Sequence, residues 1–346
     1  MPRHPVAILF ALLLTACASR EQLELSGPTM GTTYSVKVAN APKRIDVHSV
    51  QIVIDQVLDT IDRQMSTYRA DSEISRFNAA QSTEWISVSP ELAQLVANSL
   101  QVSAESQGAL DITVAPLVNL WGMGPEGERG ELPSQAQIEA ARANVGFQNV
   151  SVREQPAALR KQLPALTIDL NAVAPGFAVD LLAARLAGLG LENFMIDIGG
   201  EVRARGKNAE GQPWRIAVEK PVDGEPEPYA IVQLLDIAVT TSGEYRHYAI
   251  RNGHRYSHTI DPRTARPVEH ALASVVVIAP TAFYADAWAT ALNVLGEEKG
   301  YALALERQMP AMFIVDRDGK FEPHMTPQFE TFLAEKPSPD QSRTSD

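Results

Sequence analysis

The chain contains a single cysteine, Cys17, which follows a short apolar run near the N-terminus. One cysteine cannot form an internal disulfide bond, so the fold must be stabilised by packing alone. The composition suits this requirement, because 45% of the 346 residues are hydrophobic and 21% are charged. These values are typical of a globular protein with a sizeable core, and the length fits roughly two domains.

The N-terminal residues differ in composition from the rest of the chain. Arg3 and His4 precede an uncharged apolar run from Val6 to Leu14, and small residues then lead to Cys17. Because this run is too short to cross a bilayer of ~30 Å, it predicts an export signal rather than a membrane anchor. The LTAC sequence ending at Cys17 resembles the bacterial lipoprotein signal, in which the cysteine becomes lipidated. The alternative is a discarded secretory signal.

We therefore expect four segments along the chain. They are a signal peptide at 1–16, a linker at 17–25 after the lipidated cysteine, a folded unit of one or two subdomains at 26–334, and a disordered tail at 335–346 that is rich in proline, serine and charge. The lipoprotein resemblance implies attachment on the periplasmic side of a bacterial membrane. Ala18 stands where an aspartate would favour inner-membrane retention, which favours the outer membrane.

The charge of the chain is unevenly distributed. Without residues 1–16 it carries 29 basic and 42 acidic side chains, a formal charge of −13, so nucleic acid is not an expected partner. The window 246–270 is nevertheless basic, because five arginines there outnumber two acids and four of the seven histidines accompany them. Such donors suit a phosphorylated ligand. A solvated hairpin with scattered arginines is an equal alternative.

Hydrophobic periodicity predicts an α+β fold with mixed sheets and packed helices. Helical spacing predicts helices over Asp46–Met65, Pro90–Ser106, Ser134–Val145, Phe177–Leu189 and Phe283–Leu295. Alternation and short apolar runs predict strands over Thr32–Val38, Ala165–Leu170, Phe194–Ile198, Trp214–Glu219, Ala230–Val239, Ser274–Ile278 and Ala311–Val315. A turn is expected at Pro175–Gly176, and Gly199–Gly200 is a second place where backbone could approach a ligand closely.

Asp286 and Thr290 form a candidate cation site within the last of these helices. Residues four apart share one helix face, and small alanines surround this pair. A carboxylate and a hydroxyl suit Mg²⁺, which prefers oxygen ligands. The alternative is that Thr290 bonds back to a carbonyl while Asp286 faces solvent. The chain lacks a Walker loop, a dinucleotide glycine fingerprint, a hydrolase elbow and a zinc helix.

Several sequence blocks, taken in order, resemble one family along nearly the whole chain after residue 16, the ApbE-type FAD:protein FMN transferases. The matching blocks are MGTTY at 30–34, MSTYR at 65–69, DSEISRFN at 71–78, DITVAPLVNLWG at 111–122, VTTSGEYR at 239–246, SHTIDPRT at 257–264, and the helix with Asp286. The resemblance implies an ApbE-like fold around one FAD site. The sequence departs from the pattern at Pro175, often Lys or Glu in relatives, and at Ala265, commonly Gly.

The resemblance also implies roles for individual residues. His258 would be the catalytic histidine. Residues around the flavin nucleotide would be Met30, Tyr68, Ala109, Leu110 and Asp111, with Pro175 and Val268 lining the site more loosely. Mg²⁺ would be bound by Asp286, Thr290 and the carbonyl of Ala172.

The implied reaction is Mg²⁺-dependent transfer of FMN from FAD to a threonine hydroxyl of an acceptor protein, with release of AMP. The implied acceptors are membrane-bound redox proteins, such as subunits of sodium-translocating NADH:quinone oxidoreductases. Two alternatives stay open. In the first, water replaces the threonine, which makes the protein an Mg²⁺-dependent FAD pyrophosphatase that releases FMN and AMP. In the second, the protein is a flavin-binding lipoprotein without turnover.

Overall fold

A computed structural model of the protein describes residues 22–124, 131–222, 227–243, 248–251 and 254–335. The predicted signal peptide, the lipidation site at Cys17 and all but the first residue of the predicted tail lie outside these ranges, as do Arg246 and His247. Within the described residues, no helix is long and apolar enough to cross a membrane.

Eight α-helices and one short 3₁₀ helix, at Phe147–Asn149, occur in the described ranges. The α-helices are α1 Val47–Met65, α2 Glu73–Ala79, α3 Pro90–Glu105, α4 Ala115–Leu120, α5 Gln135–Arg142, α6 Ala174–Gly188, α7 Ala282–Glu306 and α8 Pro327–Glu330. The first helix illustrates why they form. Its buried residues recur at helical spacing, and the Asp46 side chain accepts the Ser49 N–H at 2.8 Å as an N-cap.

Eighteen strands are described. They are β1 Gln22–Thr29, β2 Thr32–Ala39, β3 Ile86–Ser87, β4 Val150–Glu154, β5 Ala157–Lys161, β6 Phe194–Ile198, β7 Glu201–Arg205, β8 Trp214–Glu219, β9 Pro228–Leu234, β10 Ile237–Gly243, β11 Tyr248–Arg251, β12 His254–Ser257, β13 Ile260–Asp261, β14 Arg266–Pro267, β15 Leu272–Ala279, β16 Ala311–Arg317, β17 Lys320–Met325 and β18 Leu333–Glu335.

The centre of the fold is an eight-stranded sheet in the order β1-β2-β6-β7-β10-β15-β16-β17. Both faces of this sheet are buried. In β15, Val275 and Val277 pack into the core shared with α1, α6 and α7, while Val276 and Ile278 pack with β8, β9 and α8 on the opposite face. A strand covered on both faces requires a nearly continuous apolar sequence, and β15 has one.

The predicted α+β class is confirmed, with one correction to the expected strand directions. Every strand pair that the structure describes is antiparallel, so the sheets are not mixed. The predicted linker is also too long, because Gln22–Leu25 form the first half of β1 and Leu25 is buried in the core.

Three local predictions are wrong for identifiable reasons. The predicted strand Ala230–Val239 is broken at Asp236, whose φ of 56° turns the chain from β9 in a three-stranded sheet to β10 in the central sheet. Pro175 and Gly176 are not a separate turn, because α6 begins at Ala174 and the proline occupies its first turn, where it is tolerated. Residues 165–170 form no strand.

Helix α7 is longer than predicted because it continues through a kink. At the kink Gly296 has φ 78° and ψ 179°, and a Cβ at this position would lie 2.7 Å from Cδ2 of His270. The backbone carbonyl of Asn293 accepts a hydrogen bond from Nε2 of His270 at 2.7 Å. The histidine therefore pairs with a backbone oxygen at the place where the helix bends.

Candidate active site

Asp286 lies in the second turn of α7 and is only 6% exposed. Its Oδ2 accepts the backbone N–H of Gly176, in the first turn of α6, at 3.1 Å. This N–H is one of the helix N-terminal donors without an intrahelical acceptor, and the N-cap residue Val173 provides no side-chain cap. A Cβ at Gly176 would lie 2.6 Å from the carbonyl oxygen of Ala282, so only glycine allows the two helices to approach this closely.

The surroundings of Asp286 are unfavourable for a negative charge. Burial raises the pKa of Asp286 well above its ordinary value, and the nearby carboxylates of Glu201 and Asp180 raise it further. Burial likewise raises the pKa of Glu201 to about 8, and Asp197 adds to the effect. A bound cation would relieve this accumulation of carboxylates, because it would favour their charged forms.

The residues around Asp286 fit a hard divalent cation bound mostly by oxygen atoms of several kinds. Thr290 is one helical turn further along α7, and the turn that contains Ala172 leads directly into the N-terminus of α6 beside Asp286. In the described part of the chain, no group of three or more His, Cys, Asp or Glu side chains has a metal-binding arrangement. A cation here would therefore combine one carboxylate with a hydroxyl, a carbonyl and ligand oxygens, which Mg²⁺ accepts.

The segment of His258 lies beside the same helix. His258 is half-buried between β12 and β13, and the next residue, Thr259, accepts the backbone N–H of Val268 at 3.0 Å through its carbonyl. The buried side chain of Asn293 lies 3.5 Å from the hydroxyl of Thr259 and 3.4 Å from that of Ser242. Asn293 follows Asp286 by two helical turns. The same side of α7 therefore borders both the candidate cation site and the His258 segment.

The block containing Ala109, Leu110 and Asp111 packs against the far side of the same segment. A Cβ at Gly108 would lie 3.9 Å from Cγ of Arg263, and the indole N–H of Trp121 donates to the carbonyl of Ala265 at 3.0 Å. Leu117 and Trp121 of the block 111–122 also share a hydrophobic cluster with Ile260 of the block 257–264, so the structure brings two matching blocks into contact although more than one hundred residues separate them.

The carboxylate of Asp111 is engaged within its own loop. It accepts the Thr113 N–H and hydroxyl at 2.8 and 2.6 Å, and the Phe147 N–H at 3.0 Å. Burial raises the pKa of Asp111, which these hydrogen bonds partly offset. The side chain therefore holds the loop in shape, and contact of this block with a flavin stays a prediction.

Met30 and Tyr68 lie at one rim of the molecule. Met30 is 40% exposed in the turn between β1 and β2, and Tyr68 is 72% exposed. Asp62 of α1 lines a groove with Met30 and accepts a hydrogen bond from Arg69, the neighbour of Tyr68, at 2.7 Å. Met30 lines this groove and Tyr68 does not, and contact of either side chain with a flavin stays a prediction.

The predicted phosphate donors in the basic window have local partners where their side chains are described. Arg263 forms a two-point ion pair with Asp261, each bond 2.8 Å long, which raises its pKa. Arg266 donates to the side chain of Gln135 at 2.9 Å. Arg246 and the side chains of Arg251 and Arg255 lie outside the described part of the structure, so the phosphate role of this window stays a prediction.

Sequence reasoning missed two carboxylates that shape this site, Glu201 and Asp180. Glu201 directly follows Gly199–Gly200 at the start of β7, so an acid after a strand-ending glycine pair was the available signal. Asp180 lies in the middle of α6 and resembles an ordinary surface acid in sequence. Only the packing of α6 against α7 brings it to the site.

Known proteins resemble this chain in sequence and in fold. Residues 30–313 match the family model of the ApbE family. A Vibrio cholerae protein named FAD:protein FMN transferase is 42% identical over 95% of this chain and 98% of its own, and one from Escherichia coli K12 is 43% identical over 89% and 88%. The solved flavin transferase ApbE from Vibrio cholerae has a TM-score of 0.83 at 43% identity and covers 91% of this chain and 100% of its own.

A protein with this fold and these relatives is a transferase enzyme. The chain belongs to the ApbE family.

Proposed function

We propose that this enzyme is an FAD:protein FMN transferase that uses Mg²⁺ to transfer FMN from FAD to a threonine hydroxyl of an acceptor protein, with release of AMP. Family membership and the names of the relatives support the transferase reaction. The observation that carries the cation requirement is the buried carboxylate of Asp286, which lies near the acids Glu201 and Asp180.

Asp286, the hydroxyl of Thr290 and the carbonyl of Ala172 would hold the cation. When bound, Mg²⁺ supplies positive charge that neutralises the pyrophosphate of FAD. The N-terminus of α6 adds the partial positive charge of its helix dipole on the same side. The protein residues would thus orient the phosphates beside the cation.

In the transfer step, the threonine oxygen forms a bond to the phosphorus of the FMN half as the bond between this phosphorus and the AMP oxygen breaks. His258 accepts the proton of the attacking hydroxyl, and AMP leaves with the electron pair of the broken bond. The segment that holds His258 is fixed to α7 by Asn293 and to β14 by the hydrogen bond between Val268 and Thr259. A positioned base of this kind contributes typically 10²-fold or more in rate.

Incubation of the enzyme with FAD, Mg²⁺ and an acceptor protein that carries a threonine tests the proposal. Protein-bound flavin fluorescence that survives denaturation is the expected result. Accumulation of free FMN without labelled acceptor would instead identify a pyrophosphatase, and unchanged FAD would identify a binding protein. An acceptor in which the threonine is replaced by valine serves as the control for the attachment site.

We also propose lipidation of Cys17, which would hold the enzyme on the periplasmic side of a bacterial membrane, with the outer membrane favoured by Ala18. Membrane redox proteins such as sodium-translocating NADH:quinone oxidoreductases would then be accessible acceptors. Replacement of Cys17 by alanine is expected to release the protein from the membrane fraction. A membrane-bound Cys17→Ala variant would contradict the anchor.

A further inference from the structure

The segment before the turn of Ala172 is held by a side chain rather than by a strand partner. Residues 165–170 have extended sequence character but form no strand. Asn78, the last residue of the DSEISRFN block, binds both backbone groups of Ile168. Its Oδ1 accepts the Ile168 N–H at 2.8 Å and its Nδ2 donates to the Ile168 carbonyl at 2.8 Å. One amide side chain therefore replaces a neighbouring strand as the hydrogen-bond partner.

Lys161 strengthens the same contact between the end of α2 and this segment. This lysine is fully buried, and its ammonium donates to the carbonyl of Asn78 at 3.1 Å and to the carbonyl of Leu166 at 2.8 Å. The ammonium also lies 5.3 Å from the ring centroid of Phe77. Burial lowers the pKa of Lys161. A buried cation that binds two carbonyls fixes the end of α2 to the segment that precedes the turn.

The turn itself is held on both sides. Asp169 donates its backbone N–H to the carbonyl of Ile112 at 2.7 Å, directly beside Asp111. Within the turn, the Asn171 N–H donates to the side chain of Asp169 at 2.8 Å, and Val173 donates to the carbonyl of Leu170 at 2.9 Å. The chain then enters α6, where Gly176 binds Asp286. The backbone from Ile168 to Gly176, held by these hydrogen bonds, thus connects the partner of Asn78 to the candidate cation site.

We propose that Asn78 and Lys161 are positioning residues for the cation site, which act by fixing the turn that presents the carbonyl of Ala172 toward Asp286. This inference rests on the proposed Mg²⁺ role of that site. Residues outside the direct ligands commonly set metal affinity, because they hold the ligands in the required geometry. Asn78 belongs to a matching sequence block to which sequence reasoning assigned no role, and this geometry supplies one.

The test compares Asn78→Ala with Asn208→Ala. Asn208 is a matched control, since it is also half-buried and its side chain also forms two backbone hydrogen bonds. Its Oδ1 accepts the N–H groups of Glu210 at 3.1 Å and Gln212 at 2.9 Å, in the loop between β7 and β8. Mn²⁺ binding in the presence of AMP is measured by electron paramagnetic resonance, beside the melting temperature. We expect Asn78→Ala to weaken Mn²⁺ binding roughly tenfold or more. Asn208→Ala should lose stability alone.

Two further variants keep the test decisive if Asn78→Ala does not fold. Asn78→Asp keeps the acceptor for the Ile168 N–H but replaces the donor with an oxygen, and Lys161→Met keeps the apolar stem without the ammonium. Both should raise the Mg²⁺ concentration needed for half-maximal transfer, with the KM for FAD little changed. Mn²⁺ affinities equal to that of the wild type in all folded Asn78 and Lys161 variants would overturn the inference.

The wild type and Asp286→Ala separate this inference from the proposed function. Mn²⁺ binding that is present in the wild type and lost in Asp286→Ala identifies the signal with the proposed site. If the wild type binds no Mn²⁺, or if Asp286→Ala binds it normally, the proposed metal site is wrong. If that site stands and all folded Asn78 and Lys161 variants still bind Mn²⁺ normally, only the positioning role is wrong.

Discussion

The start of α7 and the next turns of the same helix contrast sharply in how their polar groups are paired. At the start, the N–H groups of Ala282 and Phe283 both donate to Asp180 at 2.9 Å, and Asp180 also pairs with Arg203. We call this group the joint. Further along, the face formed by Asp286, Thr290 and Asn293, which we call the site face, presents oxygen atoms beside other carboxylates.

The contrast indicates what each carboxylate does. Asp180 has a full set of partners, because two helix N-terminal donors and a guanidinium surround it, so it fastens α6, α7 and β7 together. Asp286 has one backbone donor and acidic neighbours, an arrangement that costs stability unless a cation is bound. Two aspartates at the interface of the same two helices therefore serve different purposes.

The largest expected effect concerns the site face. Replacement of Asp286 by alanine should reduce FMN transfer on the order of 10³-fold and weaken the stimulation by Mg²⁺, since a hydroxyl and a carbonyl alone hold a hydrated cation poorly. Asp286→Asn should do the same while it keeps an acceptor for Gly176, so that folding survives. Transfer rates over a Mg²⁺ series measure both variants. Near wild-type transfer at limiting Mg²⁺ would mean that the metal assignment is wrong.

The next largest effect concerns the segment that the site face holds. His258→Ala should still bind FAD but lose turnover on the order of 10²-fold, as expected for a positioned base. Single-turnover transfer, FAD affinity and melting temperature are measured together. A structural histidine would instead give a less stable protein with a normal rate per folded molecule, and that outcome would remove His258 from the mechanism.

A variant of the joint should lose stability and keep its transfer activity, which is the reverse of the result expected for the site face. Asp180→Ala leaves two N–H groups and the partly buried guanidinium of Arg203 without their partner, so we expect a loss of about 3 kcal/mol of stability. Transfer by the folded fraction should persist at low temperature. Denaturant unfolding beside the assay measures the two quantities. Unchanged stability with lost transfer would show that Asp180 acts in the reaction and not as a fastening, and would break the contrast between the two aspartates.

The contrast also predicts a pH dependence of the metal-free enzyme. Burial raises the pKa of Glu201 from an ordinary value of 4.5 to about 8 in the folded protein. Because the folded state keeps a proton that the unfolded state releases, stability should fall as the pH rises from about 4.5 to about 8 and then level off. We expect the melting temperature to decrease on the order of 5 °C over this range. Saturating Mg²⁺ or the substitution Glu201→Gln should reduce the change of melting temperature with pH. A melting temperature that does not change with pH in the metal-free wild type would contradict this prediction.

The smallest effect is expected at Pro175. This residue lies in the first turn of α6 and has neither a charge nor an N–H to offer a substrate. Pro175→Lys, the residue often present in relatives by the sequence resemblance, should cost about 0.5 kcal/mol of stability and leave the rate unchanged. Transfer assays at saturating FAD check this. Complete loss of activity with intact folding and FAD binding would show that the start of α6 has diverged.

Local sequence patterns predicted the long helices and several core strands, but they did not predict shorter elements such as β1, α2, α4 and β7. The apolar spacing and Asp46 cap of α1 predicted that helix closely, because its structure depends on its own residues. The segment 165–170 was predicted as a strand because its residues are extended and apolar. Its hydrogen-bond partners instead include Asn78, Lys161 and Ile112, which no local pattern reveals.

Some residues of the candidate site were likewise predictable from local sequence and others were not. The Asp286 and Thr290 pair was predictable, because both residues lie on one helix and their spacing defines a shared face. The neighbouring acids were not, because Glu201 reaches the site through the central sheet and Asp180 through helix packing. Long-range contacts of this kind depend on topology, which the resemblance to a family suggests and single-residue patterns do not.

The kink of α7 affects how a mutational scan of this enzyme should be interpreted. Gly296 has backbone angles that only glycine adopts readily, and any added side chain would meet the ring of His270. Nearly every substitution there should be rejected by selection as strictly as one at a chemical residue. Intolerance at Gly296 would therefore report the shape of the helix, and a ranking of positions by fitness alone would mistake it for part of the reaction centre.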